Sequence, residues 1–269
     1  MGYGDDIMVT GEIKYILKEN PDMKFIIGDG KQSWWSEIYE NNQAIIKIKD
    51  IKKFENIMWI DNYPDHRPYR HYDPKTHKKK YTWDKSFRAK SGSIFLSKEE
   101  EIFSEKILEK INSKENKKKL IHIQPSVKLK LGWNNRDWGF EKWQQVVNSL
   151  YDKYTFIQTS YANEKKLQNV VNIHGLKFRM ACSILSKVDL FLGTEGGMHH
   201  AAAALGKKGV VIFGGFIDPS ITGYDMHTNL YIKNKNSPCG SKKKCNHCEE
   251  CMKLIKVNFV IAEIIKILK

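Results

Sequence analysis

The chain has 269 residues, 41% hydrophobic and 28% charged, with 45 Lys and Arg against 31 Asp and Glu for a formal charge of +14. That length supports one large α/β domain or two smaller ones with a proper core and no disulfide scaffold. No run of eighteen apolar residues occurs, and Met1 leads into Gly2-Tyr3-Gly4-Asp5-Asp6 instead of a charged and then apolar leader, which excludes a membrane-spanning helix and predicts a cytosolic protein without a signal peptide. The charge excess favours polyanionic partners: nucleic acid, anionic lipid or phosphorylated small molecules. Part of it lies in Lys117-Lys118-Lys119 and Lys242-Lys243-Lys244, runs that are ordinarily solvated.

From the N-terminus, residues 7–18 can form a helix, Lys24-Phe25-Ile26-Ile27 a strand ending at Gly28-Asp29-Gly30, Ala44-Ile45-Ile46 a short strand and Ile57-Met58-Trp59-Ile60 another. Periodicity is lost from 61 to 90, where Pro64, Pro68 and Pro74 stand among Tyr, His, Lys and Arg. Within 66–90, Tyr69, Tyr72, Tyr81 and Trp83 are interleaved with Arg67, Arg70, Lys75, Lys78, Lys79, Lys80, Lys85 and Arg88. Such a mixture is a solvated loop, a surface for single-stranded nucleic acid, a grip on an anionic glycan or a contact with a membrane surface. A charged helix over 98–111 and the polar stretch 112–119 read as a hinge between two lobes, 1–114 and 119–269.

The second half alternates as parallel sheets do: strands at 120–123, 154–157 and 170–173, helices at 140–150 and 180–186, then strands at Leu190 and Val210. This predicts a doubly wound, Rossmann-like lobe from about residue 119. Val257, Val260, Ile261, Ile264, Ile265 and Leu268 recur at helical spacing and predict a closing helix over 257–268, which in two-lobed folds crosses back to the first lobe.

The most informative block is Leu190-Phe191-Leu192-Gly193-Thr194-Glu195-Gly196-Gly197-Met198-His199-His200, followed by Ala201-Ala202-Ala203-Ala204-Leu205-Gly206. The first N–H groups of a helix have no internal partner and carry partial positive charge, so a Gly turn from strand into helix seats phosphate naturally. The same order also serves as plain packing in any α/β domain. Glu195 before the Gly pair and the two histidines after it favour a ligand, because polar groups gathered at the mouth of a sheet are costly to bury.

Cys182 stands alone in a helical stretch and reads as core, whereas Cys239, Cys245, Cys248 and Cys251 are spaced C-x5-C-x2-C-x2-C. Four thiols so close in a cytosolic chain suit a structural zinc better than disulfides. A bacterial ferredoxin run requires another Cys four after Cys251, where Ile255 stands. A cluster without metal is the other reading.

Several blocks together resemble glycosyltransferase family 9, the lipopolysaccharide heptosyltransferases, which implies an α/β GT-B fold with two Rossmann-like lobes facing a cleft. The block from Gly193 to Gly206 is similar to the family's Gly-Thr-Asp-Ser-Gly-Pro-Met-His-Leu-Ala-Ala-Ala-Leu-Gly, with His200 on the motif histidine and Glu195 on the usual aspartate. The match continues in Phe213-Gly214-Gly215, Asp218-Pro219 and Cys251-Met252 with Ile255, Val257 and Val260. Arg136-Asp137-Trp138 with Trp143 resembles the Lys-x-Trp-Pro stretch, which puts Arg136 in place of the phosphate-binding lysine. Gly4-Asp5 resembles the N-terminal Gly-Asp whose aspartate is the proposed base. Family members have a β-strand before that Gly-Asp, but only Met1-Gly2-Tyr3 precede it here. Either the start is internal to the true gene or the first lobe lacks its central strand.

The resemblance implies an inverting transferase that moves heptose or a related sugar from a nucleotide-sugar donor to an anionic bacterial surface glycan or glycolipid, with the acceptor in lobe 1–114 and the donor in lobe 119–269. The enzyme would be cytoplasmic, with peripheral contact at the inner face of the membrane. No Asp-x-Asp metal motif occurs, so no catalytic cofactor is implied and the departing diphosphate must be met by Arg136, by Lys128 or Lys130, and by the helix starting at Gly196-Gly197. Asp5 is the candidate base; on residues alone it caps the first helix, and Asp6 is its exposed neighbour. Thr194, Glu195 and His200 would hold the donor, and Glu164, after Ser160-Tyr161-Ala162-Asn163, would reach the ribose. Thr159, Ser160 and His199 are further donor candidates, with His199 equally readable as a half-buried structural residue. Two competing readings are a basic nucleic-acid-binding protein with a zinc knuckle, which does not explain the Glu-Gly-Gly-Met-His-His block, and a GT-B protein that binds nucleotide sugar without turnover.

Overall fold

The computed structural model describes residues 2–62, 66–71, 79–111, 118–125, 134–160 and 164–269. Pro64, Tyr72, Pro74, Lys75, Lys78, Lys117, Lys128, Lys130 and most of the polar stretch 112–119 of the expected hinge lie outside them. The first half carries α1 (Tyr3–Ile16), β1 (Lys24–Ile27), β2 (Ile57–Ile60), β3 (Arg70–His71), β4 (Thr82–Trp83) and α2 (Lys98–Ile111). The second carries β5 (Lys119–Gln124), α3 (Phe140–Leu150), β6 (Tyr154–Ser160), β7 (Val171–His174), α4 (Phe178–Leu185), β8 (Leu190–Thr194), α5 (Gly197–Ala204), β9 (Gly209–Gly214), α6 (Pro219–Thr222), β10 (His227–Tyr231), α7 (Asn246–Leu254) and α8 (Val257–Leu268).

The second half is a six-stranded sheet in the order β10-β9-β8-β5-β6-β7, with every pairing parallel. Counted from β5, this is the doubly wound order 3-2-1-4-5-6, whose direction reverses between β5 and β8. The near-continuous apolar runs of β5, β8 and β9 are buried because helices cover both faces. On one face Trp143, Val146, Val147 and Leu150 of α3 pack with Val260, Ile264 and Leu268 of α8. On the other, Cys182, Ile184 and Leu185 of α4 and Ala201 and Ala202 of α5 join one core with Ile7, Val9 and Ile13 of α1 and with Phe25 and Ile27 of β1. The two halves therefore share a hydrophobic core along that face.

Several expectations need correction. The closing helix α8 does not cross to the first half; its apolar stripe is taken up by α3 and β9. Ala44-Ile45-Ile46 makes only one parallel bridge, Phe25 to Ile45, so the first half holds a two-stranded β1-β2 sheet. The first helix begins at Tyr3, placing Asp5 and Asp6 in its first turn, where a carboxylate meets the positive helix end. The sequence reading missed β10, α6 and α7, whose short runs carry little periodicity.

Within the first half α1 lies close against the backbone at 90–92, and a charged pair ties the two halves across their seam. A side chain on Gly11 would run into the Lys90 carbonyl, and one on Gly92 would meet the Ile7 carbonyl. Between α2 and α4, Arg179 grips Glu100 through both carboxylate oxygens at 2.7 and 2.6 Å and donates to the carbonyls of Glu37 and Phe95 at 3.0 and 2.7 Å. That buried guanidinium has its donors satisfied, which makes the pair a fixed tie across the seam.

Burial holds His122 and His227 down at about 4, and His199 well below its ordinary value, so all three are neutral in the folded state. The unfolded chain takes up their protons as pH falls through about 6.5, so stability is full above that value and drains away toward pH 4. Three histidines predict a slope of roughly 4 kcal/mol per pH unit near pH 5.5 in urea unfolding. A slope corresponding to fewer than two protons there would contradict the neutral core.

Candidate active site

Ligands of doubly wound sheets bind beyond the carboxyl ends of the strands, where the order reverses. Here Gln124 ends β5, Thr194 ends β8, and Thr159 and Ser160 end β6, all lining one cavity of about 720 Å³, a size suited to a small ligand. The start of α1 closes the cavity from the first half. Gly4 permits this: a Cβ there would lie 2.8 Å from Cδ2 of His200 and 3.5 Å from the Cα of Gly197. Tyr3 stacks on Phe178 with ring centroids 4.2 Å apart, fixing the same contact. Two helix N-termini, those of α1 and α5, thus face a single space, an arrangement that favours an anion.

The cavity brings together Asp5, Arg136, Thr159, Ser160, Glu164, Thr194, Glu195, Gly196, Gly197 and His200. Its volume is large enough for a nucleotide-sized ligand. Tyr161, Ala162 and Asn163, next to Glu164, lie outside the described residues.

Arg136 donates to Glu195 Oε2 at 2.7 Å, with the Arg side chain 33% exposed and therefore reachable by a ligand while the Glu side chain is 7% exposed. Burial would raise the Glu195 carboxyl, but the Arg136 charge and the His200 hydrogen bond outweigh it and hold the group well below the usual carboxylate range. Burial likewise disfavours the Arg136 cation, and the Glu195 charge reverses that. His200 Nε2 lies 3.6 Å from Glu195 Oε1, and its Nδ1 is hydrogen-bonded to the Tyr224 hydroxyl at 2.8 Å. Arg136, Glu195, His200 and Tyr224 form one chain of polar contacts under the α5 N-terminus.

His199 does not line the cavity. It is fully buried beside Phe213, Tyr224 and His227, so it belongs to the core and not to the half-buried position the sequence suggested.

Asp5 lies on the opposite wall. The Tyr69 hydroxyl donates to its Oδ1 at 2.7 Å and Arg67 Nε stands 3.8 Å from the same oxygen. Asp6, expected to be exposed, is instead 4% exposed and accepts from Ser36 at 2.8 Å, Tyr39 at 3.2 Å and Asn62 at 3.0 Å. The reason is the helix: adjacent positions point about 100° apart, so one carboxylate faces the cleft and the other the core. Arg67 links the two, donating to Asn62 Oδ1 at 2.6 Å and Glu12 Oε1 at 2.9 Å. Sequence reasoning did not single out Arg67, Tyr69 or Tyr224 as site residues, because nothing in an aperiodic stretch marks which of many cations and aromatics turns inward.

The described part of 66–90 is not an open stacking surface. Tyr69 stacks on Trp83 at 6.2 Å, Tyr81 meets Trp83 at 5.3 Å, and Trp83 packs edge-on against Phe216 at 5.5 Å. These rings form an aromatic wall of the cavity, and Arg136 lies over Phe216 at 5.7 Å.

Beside this wall, Cys239 Sγ lies 3.0 Å from Cys248 Sγ and 3.7 Å from Cys245 Sγ. The fourth member of the cluster is His247, not Cys251: the ligand atoms of Cys239, Cys245, His247 and Cys248 all lie within 4.8 Å of one another. On α7, Cys251 is one turn beyond His247 and contacts its Nε2 at 3.4 Å. His247 Nε2 is also hydrogen-bonded to Asn234 Oδ1 at 2.9 Å, whereas its buried Nδ1 has no hydrogen bond among the described residues.

No protein-family model and no curated protein sequence matches the chain. Among solved structures it is similar to a glycosyl transferase family 9 protein from Veillonella parvula DSM 2008, with TM-score 0.71 and 13% identity over 100% of this chain and 95% of that one. It is also similar to E. coli heptosyltransferase WaaC with ADP, with TM-score 0.56 and 11% identity over 99% and 97% of the two chains. WaaC with ADP-2-deoxy-2-fluoro heptose gives TM-score 0.52 and 10% identity over 99% and 96%. The fold is therefore the two-lobed one that the sequence motifs suggested.

Arg67→Met leaves Asn62, Glu12 and the Asp6 network short of their donor, and we expect a loss of about 3 kcal/mol in urea unfolding. A loss below about 1 kcal/mol would show that the network does not depend on this guanidinium.

Proposed function

We propose that this protein is a divergent glycosyltransferase of family 9 type that moves a sugar, heptose or a related one, from a nucleoside-diphosphate donor to an anionic glycan or glycolipid hydroxyl, with inversion and without a catalytic metal. One observation carries the reading: a single cavity at the reversal point of the sheet has an arginine and the α5 N-terminus on one side and the α1 N-terminus with the Asp5 carboxylate on the other. The fold similarity to structures that contain ADP and an ADP-heptose analogue supports the donor class. Among the described residues no helix is long and apolar enough to cross a membrane, and the acceptor would be met at the inner membrane face.

In this reading the acceptor hydroxyl gives its proton to Asp5, its oxygen bonds to the anomeric carbon, and the bond from that carbon to the diphosphate oxygen breaks. Tyr69 and Arg67 both act on Oδ1 of Asp5, while Oδ2 carries no hydrogen bond among the described residues and is open to the acceptor. General base catalysis of this kind contributes about 10² to 10⁴ in rate. The leaving charge is received by Arg136 and the N–H groups at Gly196 and Gly197. A helix end alone supplies roughly 0.3 to 1 kcal/mol at an exposed site, so the cation is needed. Glu195 holds Arg136 in place and, with His200 and Thr194, faces the sugar; Thr159, Ser160 and Glu164 lie where β6 ends, toward the nucleoside.

Arg136→Ala is expected to abolish stabilisation by nucleotide sugars in a thermal-shift panel, while Asp5→Asn keeps that stabilisation and loses at least 10²-fold in transfer. Turnover unchanged in Asp5→Asn would place the base elsewhere. Salt-sensitive oligonucleotide binding with no response to any diphosphate would overturn the reading as a whole.

We also propose a structural zinc at Cys239, Cys245, Cys248 and His247, a Cys₃His set. The fit rests on the converging thiols and on the orphaned Nδ1 of His247, whose other nitrogen is already oriented by Asn234 as metal-bound histidines commonly are. Elemental analysis of protein purified without chelator is expected to find about one zinc per chain. Protein free of transition metal would refute the site.

A further inference from the structure

The cysteine loop abuts the cavity's aromatic and cationic wall at Asn135, Tyr81 and Phe216. Asn135, next to Arg136, donates from Nδ2 to the carbonyls of Ser241 and Lys243, each at 2.9 Å, and accepts from the Cys245 N–H at 3.1 Å. On its other side the loop pairs with the strap that carries the aromatic residues: Tyr81 N–H donates to the Gly240 carbonyl at 2.8 Å and Lys242 N–H to the Lys79 carbonyl at 2.9 Å. Gly240, at φ +61°, lies against the Tyr81 carbonyl where a Cβ would not fit. From below, Cys239 and Gly240 N–H groups donate to the carbonyls of Gly215 and Phe216, each at 3.0 Å.

Ser241, Lys242, Lys243 and Lys244 make no regular secondary structure beyond the single Lys80 to Ser241 bridge, and three of them are lysines. Such a segment has little apolar burial of its own to hold it still, so its shape depends on the cysteines and histidine at its ends. A metal that pins Cys239, Cys245, His247 and Cys248 would fix the loop, and with it Asn135, the strap from Lys79 to Trp83, and the position of Phe216.

We infer that this metal loop is a clasp that sets the donor site without touching the donor: metal occupancy, passed through Asn135 and Gly240, positions Arg136 and the Tyr81, Trp83 and Phe216 wall. The inference rests on the zinc and donor-site readings above. Asn135 is a positioning residue, because its side chain reaches the loop and not the cavity.

The test compares pyrophosphate and ADP binding by calorimetry in the purified protein, the chelated protein and the chelated protein reloaded with zinc. Trypsin cleavage after Lys242, Lys243 and Lys244 gives a second readout. The clasp predicts at least tenfold weaker binding and faster cleavage on chelation, both restored by zinc. Asn135→Ala, which leaves all four ligands in place, should keep one metal per chain and yet weaken binding, and chelating this variant should cost less affinity than chelating the parent, because only the route through Gly240 is left to lose. It also carries the test if the chelated protein fails to fold. Metal that can be removed, or an Asn135→Ala change, with affinity held within twofold would overturn the clasp and leave the zinc site standing. Absence of metal in the purified protein would refute the zinc site and the clasp together, and metal-loaded protein that binds neither ligand would refute the donor site.

Discussion

The contact on which the site depends is the close approach of α1 and α5 near their N-termini, at Gly4, Gly197 and His200. Two helix N-termini brought this close repel each other, since both carry partial positive charge. The shared hydrophobic core along the seam and the Arg179–Glu100 tie hold them together. What offsets the repulsion locally is negative charge: Asp5 and Asp6 in the first turn of α1 and Glu195 just before α5. The unpaired N–H groups of both N-termini still face the cavity, which favours an anion there.

In and beside the cavity the buried charges are paired. Glu195 is paired with Arg136 and His200, and Arg67 with Glu12 and Asn62, while its Nε has only the Asp5 charge at 3.8 Å. Arg136 keeps a third of its side chain exposed despite its partner, whereas Arg67 is closed off. That difference in access separates a cation available to a ligand from one that serves the scaffold. The same distinction divides the aspartates, with Asp5 on the cleft wall and Asp6 within the core.

The parallel sheet, its bounding helices at 140–150 and 257–268, and the strand, Gly turn and helix at Leu190 to Gly206 were all legible in the sequence. Buried parallel strands are continuous apolar runs, and helices covering them show a clear stripe, so local pattern and global fold agree there. The first half was poorly legible because its order comes from polar networks and aromatic packing, which have no period. Arg67 and Tyr69 are two residues in a run of similar ones, and only folding turns them inward. The histidine of the cysteine cluster was hidden for a related reason: counting cysteines picks out Cys251, while helix α7 turns it away and presents His247.

The sequence by itself determined the doubly wound second half, the anion-favouring turn at Gly196 and Gly197, and a resemblance strong enough to nominate Asp5, Arg136, Glu195 and His200. The tertiary structure decided which of those groups share a space, because that depends on Gly4 letting α1 reach α5 and on the strap from Lys79 to Trp83 closing over the cavity. It also decided that α8 stays on α3 and that His199 is core. Periodicity along a chain encodes which face of an element is buried; it does not encode against what, and that choice is made by packing between segments distant in sequence.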